Sequence, residues 1–270
     1  TRSRSSRRRA RECDRPTNSF ETVRRIVRRA RAMGASIEGE VDEIIARHRA
    51  CVLRGRAFFV AWHGTLTLAF QAWSEDFARL KRALNEIDAM QAEAFGSKWP
   101  KISLGCLKSD DAGGRLTMEE YEALRDVCDG FRGRAERDAR VRASELKVVV
   151  FGSRCCERRV SVKRVKLRPE ECGEEASRES VALVESVLSE GRRDEEYLNR
   201  VNAPGHRACH YEQGSGVTLV ADALEGNTSD VSDLTALLLE FRSAVEKILP
   251  GRFRWFRDDS LHVTVRGLVN

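Results

Sequence analysis

Two of the five histidines in this 270-residue chain stand in one five-residue frame: apolar, His, any residue, Thr, apolar. His63 lies in "WHGTL" and His262 in "LHVTV", and threonine is scarce, with ten residues in all. Along a strand, successive side chains alternate faces, so a His and a Thr two positions apart project from the same side. Histidine titrates near working pH and serves as a general base or a general acid. A hydroxyl beside it can donate a hydrogen bond to an oxygen that gathers charge in a transition state. His63 and His262 are therefore the candidate acid–base pair, with their order open, and Thr65 and Thr264 the candidate oxyanion contacts. The same parity puts Arg266 beside Thr264, where it either neutralises an anion or ends the strand as a solvated charge. Thr67 shares a face with Thr65 but reads as a strand former.

A second set of reactive side chains reads differently. Cys155, Cys156, Cys172 and Cys209, with His206 and His210, contain no CxxC and match no common zinc spacing, so no metal is expected. "RFRWFR", residues 252–257, interleaves guanidinium groups with aromatic rings and reads either as a stacking surface or as an edge strand. Lys98, Lys101 and Lys108 receive no role.

The elements that must carry the two histidines follow from periodicity. Ile37, Val41, Ile44, Ile45, His48 and Val52 predict a helix stopped by Gly55. "RAFFVAWHGTLTLAF" predicts one long strand or two short ones. Ser74 opens a helix with Phe77, Leu80, Leu84 and Ile87 on one face, ending by Gly96, and "KISLGCL" is a strand. Thr117 and Glu120 form a capping box ahead of a helix with Tyr121, Leu124, Val127 and Phe131 inward. Residues 132–145 read as a surface loop or exposed helix. "LKVVVFG" and "RRVSVKRVKL" predict a hairpin around "SRCCE", followed by a helix near 174–190. Residues 191–215 read as a long polar loop suited to an active site. "GVTLVADAL" is a strand, Val231 to Ile248 a helix stopped by Pro250-Gly251, and "RFRWF" and "LHVTVRGLV" finish the chain. A helix, a connection and a His-x-Thr strand thus recur as a weak internal duplication.

Paired His-x-Thr stretches, one in each half of a chain mixing helices and strands, resemble the two-histidine phosphoesterase superfamily and its LigT-like members, which act on cyclic phosphodiesters and RNA ends. The resemblance rests on "HGTL" and "HVTV", and on the amphipathic helix after the first motif in "TLAFQAWSEDFARLKRALNEI". It implies an α+β, bilobal fold: two pseudo-symmetric lobes of mainly antiparallel sheet with outer helices around a central cleft, the motif strands side by side. It also implies metal-independent hydrolysis of a 2′,3′-cyclic phosphate or a related RNA or nucleotide phosphodiester, with no cofactor. Two histidines suffice for that chemistry, one taking a proton from water and one protonating the leaving oxygen. The motifs are 199 residues apart, which implies an insertion within 97–215, and Gly64 stands where a bulkier apolar residue is usual. The rival reading is a non-catalytic RNA-binding or scaffold protein on the same fold.

Charge bears on the partner. Of the net +6, residues 1–35 hold twelve Arg against Glu12, Asp14 and Glu21, a surplus of nine that leaves the rest of the chain at −3. This basic Arg/Ser-rich arm, read as disordered, suits an RNA or nucleotide partner, a nuclear-import patch or an organelle address. Residues 36–270 read as a single domain, with a monomer favoured. Eight dilute cysteines and the lack of an apolar leader point to an intracellular compartment, cytoplasm or nucleus. No window is apolar enough for a membrane span.

Overall fold

β-Branched and aromatic residues fill Arg49–Ala61 (β1) and Thr65–Phe70 (β2), which pair as an antiparallel hairpin with Ala61 opposite Thr65. The helix before them, Gly34–Arg47 (α1), stops short of the expected Gly55. The reason is tertiary: the Asp76 carboxylate accepts hydrogen bonds from His48 Nδ1 at 3.1 Å and from the Arg49 amide at 2.8 Å, which turns the chain into β1. The computed structural model describes residues 34–88, 90, 93, 98–108, 114–171, 176–204, 215–226 and 228–269. The basic arm as far as residue 33, and Cys172, His206, Cys209 and His210, lie outside the described residues.

Capping chemistry places the next helices. Ser74 caps Glu75–Asn85 (α2) by accepting from the Phe77 amide, and Thr117 with Glu120 makes the expected capping box of Met118–Gly130 (α3). Between them runs Lys101–Leu107 (β3). The stretch expected as loop or exposed helix forms Arg132–Asp138 (α4) and Arg140–Ala143 (β4), with Ala135 fully buried. Glu145–Phe151 (β5) and Arg159–Lys166 (β6) form the expected hairpin, followed by Arg168–Glu171 (β7), Arg178–Glu190 (α5) and Glu195–Asn202 (α6). Gly216–Asp222 (β8), Ser229–Ile248 (α7), Phe253–Trp255 (β9) and His262–Val269 (β10) complete the described chain.

The fold is α+β, with the strands in one curled sheet. Its order is β4-β1-β2-β3-β10-β8-β5-β6, with β7 added on β1 and β9 on β3; all these pairs are antiparallel except β1 with β7. The halves expected as two lobes therefore share a continuous sheet, and residues 97–215 contribute β3 to β7 as integral strands. β3 also stands between β2 and β10, which corrects the expectation that the motif strands lie side by side. Because both are antiparallel to β3, β2 and β10 run in the same direction, but β2 starts opposite Cys106, near the end of β3, and β10 starts lower, with Val263 opposite Ile102. The core continues onto helices: Phe58 of β1 stacks on Phe241 of α7 with centroids 3.7 Å apart, and Phe131 meets both rings edge-on.

α4 reaches β1 only because residue 55 is glycine. A Cβ there would lie 2.2 Å from the Ala135 carbonyl oxygen and 2.6 Å from Ala139 Cβ. Gly55→Ala is expected to destabilise the fold by roughly 1–3 kcal/mol through overpacking. Gly39→Ala, which meets nothing within 4 Å, should gain about 0.5–1 kcal/mol of helix stability. Urea denaturation of the two variants checks both signs.

Candidate active site

His63 is not in a strand. Trp62–Gly64 is a tight turn joining β1 to β2, and both His63 (φ 61°) and Gly64 (φ 67°) adopt left-handed backbone conformations. Histidine enters that region more readily than most residues, but at a cost that its surroundings must offset. α6 provides the restraint. The Tyr197 hydroxyl donates to the Val60 carbonyl at 2.9 Å, His63 Nδ1 bonds the Ala203 carbonyl at 3.1 Å, and the Arg200 guanidinium lies 5.3 Å from the Trp62 ring centroid. α6 is itself pinned by its Asp194 cap on the Tyr197 amide and by Asn202, whose side chain bonds both the amide and the carbonyl of Leu116. The region expected as a polar loop is thus partly a helical clamp. Its signal was available in the Asp194 cap followed by apolar Tyr197, Leu198 and Val201 at helical spacing.

His262 is held differently, as the first residue of β10 after the 3-10 turn Asp258–Ser260. Its Nδ1 bonds the Ser260 carbonyl at 2.6 Å. A carbonyl oxygen only accepts, so in both histidines Nδ1 carries the hydrogen, and Nε2 is the nitrogen that exchanges a proton in the neutral ring. The internal duplication does not extend to these settings, one a strained turn and the other a strand start.

A cleft of about 590 Å³ brings the two motifs together: His63, Thr65, His262 and Thr264 all line it. They do not share a row of the sheet. The Val263–Ile102 pair sets His262 opposite Ser103, the residue that pairs with Thr67, whereas Thr65 pairs with Cys106 farther along β3. Thr65 and Cys106 also share a hydrogen bond at 3.0 Å, and the Thr67 hydroxyl donates to the Phe59 carbonyl at 3.1 Å, as suits a strand residue. Phe59, Trp62, Trp99, Phe151, Tyr197 and Phe256 give the walls an aromatic part; the charged side chains among the lining residues are Lys98, Lys101, Arg154 and Glu190.

Arg266 does not join this set, which corrects the parity argument. Thr264 pairs with Val220 but Arg266 pairs with Leu219, so β10 carries one extra residue at Val265. That bulge reverses the alternation. Arg266 turns into the protein, 2% exposed, with its guanidinium on the Asn85 side chain of α2, and Gly267, opposite Thr218, takes the cleft position. "RFRWFR" is likewise divided: Phe253 and Phe256 are buried, Trp255 Nε1 donates to Glu246, and Arg252 pairs with Glu120. Among its residues Phe256 lines the cleft.

Electrostatics separate the titratable groups. Burial pushes His262 below its ordinary value of 6.5, partly opposed by the Ser260 hydrogen bond, so its ring is neutral at pH 7. Asp222, paired with His262 across β8 and β10, would be raised by burial. Hydrogen bonds from Arg159 and Lys147 outweigh that and hold its carboxyl below the usual range, which commits it to those cations. Burial also pushes up the Cys155 thiol, which lines the cleft, so it stays protonated and unsuited to nucleophilic attack. Among the described residues, no group of three His, Cys, Asp or Glu side chains is placed to hold a metal, and no helix is long and apolar enough to cross a membrane. Comparison with protein-family models, curated proteins and solved structures finds no match.

Two outcomes follow. A Cβ on Gly64 would meet Leu107 at 2.4 Å as well as the left-handed φ, so Gly64→Ala should cost roughly 1–3 kcal/mol, read as a lowered urea midpoint. With a depressed folded pKa, His262 makes the native state bind fewer protons than the unfolded chain. Its contribution is complete above 6.5 and is lost as pH falls toward the folded value. Urea midpoints between about pH 7.5 and 5 should decline less for His262→Gln than for the wild type; equal declines would refute the desolvation argument.

Proposed function

We propose that the cleft is the active site of a metal-independent phosphodiesterase that opens a 2′,3′-cyclic phosphate, or cleaves a related RNA or nucleotide phosphodiester, by His/His acid–base catalysis. One observation carries the reading. His63 with Thr65, and His262 with Thr264, 199 residues apart in the chain, line one cleft, and each histidine has its Nδ1 tied to a main-chain carbonyl. Such ties set the tautomer and the ring orientation and make Nε2 the nitrogen that exchanges a proton.

Their different surroundings suggest an order. His262, kept neutral by burial, suits the base that removes a proton from water as the water oxygen attacks phosphorus. His63 acts in its imidazolium form: Nδ1 keeps its hydrogen on the Ala203 carbonyl, and the Nε2 proton passes to the leaving ribose oxygen as the P–O bond breaks, which leaves a neutral ring. Thr65 and Thr264 supply hydroxyls for the non-bridging oxygens, where charge accumulates. The aromatic walls suit a substrate that carries a base, and the finer assignment to the two-histidine phosphoesterase fold belongs to this same proposal.

Hydrolysis of 2′,3′-cyclic nucleotides and of cyclic-ended RNA, with EDTA present, tests the assignment. Turnover should drop about 100- to 10,000-fold in His63→Ala and in His262→Ala, with the acid limb of the pH–kcat/KM profile lying below the ordinary histidine value. Full activity in either variant would remove that histidine from the mechanism. A wild type that turns nothing over, yet binds RNA through residues 1–35, would favour the non-catalytic binding protein.

A further inference from the structure

The His/Thr set supplies no fixed positive charge: His63 is charged only until its proton leaves with the ribose oxygen. Both hydroxyls are neutral, His262 starts neutral, and the bulge takes Arg266 away. A phosphodiester is an anion whose non-bridging oxygens gain charge as water attacks, so a positioned cation adds stabilisation that the proton transfers do not. Lys101 stands where one would act. It lies on β3, and the Val263–Ile102 pair sets it opposite Thr264, with Ser103 two residues on along the same face. Lys101, Ser103 and Thr264 all line the cleft.

The surroundings of Lys101 hold an ammonium without neutralising it. Its Nζ is 4.3 Å from the centroid of the Trp99 ring, another cleft wall. A ring face attracts a cation but carries no net charge. Among the described residues no carboxylate pairs with Lys101, in contrast to Lys98, whose Nζ is 4.0 Å from Glu93. A half-buried charge without a counter-ion is destabilising, and such groups collect at sites where a ligand completes the pair. Burial, reinforced by the charge of Lys98, draws Lys101 down to about 8, which still leaves it mostly protonated at neutral pH.

We propose that Lys101 is the cation that binds the substrate's phosphate, acting with Thr264 from across the β3–β10 pair; the proposal rests on the phosphodiesterase reading of the cleft. The ligand class is a phosphate ester or inorganic phosphate. The ammonium donates to a non-bridging oxygen while Trp99 fixes its position.

The experiment compares wild type, Lys101→Met, Lys101→Arg and, as a surface control, Lys166→Met. Inorganic phosphate and a nucleoside 2′-monophosphate are titrated by calorimetry, and kcat/KM is measured on a 2′,3′-cyclic nucleotide. Lys101→Met should weaken phosphate binding at least about tenfold and lower kcat/KM by a similar factor, the loss of a charge-assisted contact. Its unfolding midpoint should be unchanged or higher, because no ion pair is broken; a structural role would lower it. Lys101→Arg should restore most of the binding. If Lys101→Met does not fold, Lys101→Gln decides by the same titration. Wild-type phosphate affinity in the folded variant overturns the proposal. Undiminished turnover in Lys101→Met would do the same and leave the phosphodiesterase reading standing. Lys101-dependent phosphate binding with no turnover by the wild type would remove the phosphodiesterase reading and leave the anion site.

Discussion

The C-terminal strand is hydrogen-bonded on both edges, to β3 and to β8, and the continuity of the sheet depends on it. Without β10 the strands fall into two groups, each with an open edge of unpaired backbone. Its contact with β3 is brief, the single Val263–Ile102 pair, so other forces must hold it. Val263 and Val265 are fully buried, and the Lys81 ammonium donates to the Val265 carbonyl at 2.7 Å and the Lys98 carbonyl at 3.1 Å, joining α2 to both neighbouring segments. Desolvation draws that lysine down to about 8, the cost of using a buried cation as a tie. Because His262 opens β10, the strand that closes the sheet also sets the position of one histidine.

The other histidine is placed by a different principle. His63 sits in a turn that an isolated hairpin would have no reason to hold in this form, with two consecutive left-handed residues. Residues about 140 positions later hold it, through Tyr197 on Val60 and Ala203 on His63. One histidine therefore depends on sheet pairing and the other on helix docking, and the cleft exists only when both are complete. Gly64 has a concrete cause in this setting: its φ and the adjacent Leu107 leave no room for a side chain.

Charge is distributed with a comparable division of labour. Near His262, Asp222 is enclosed by Arg159 and Lys147, and Glu225 also accepts from Lys147, so these groups balance one another outside the cleft lining. Toward the cleft, each histidine is tied to a backbone carbonyl and the Lys101 ammonium faces a ring rather than a carboxylate.

The sequence alone determined what depends on local geometry. The two His-x-Thr frames, the Ser74 and Thr117 caps, the hairpin around residues 152–158 and most strands were legible, because periodicity and capping act within a few residues. The register between strands was not. Parity along β10 put Arg266 in the cleft, and one extra residue at Val265, imposed by pairing with β8, moved it to the other face and left Lys101 of β3 as the cation beside Thr264. The end of α1 depended on an Asp76 carboxylate reaching back to His48 and Arg49, and the conformation of His63 on α6. These were decided by tertiary structure for one reason: each is a contact between segments distant in the chain, where the partner sets which conformation is lowest in free energy.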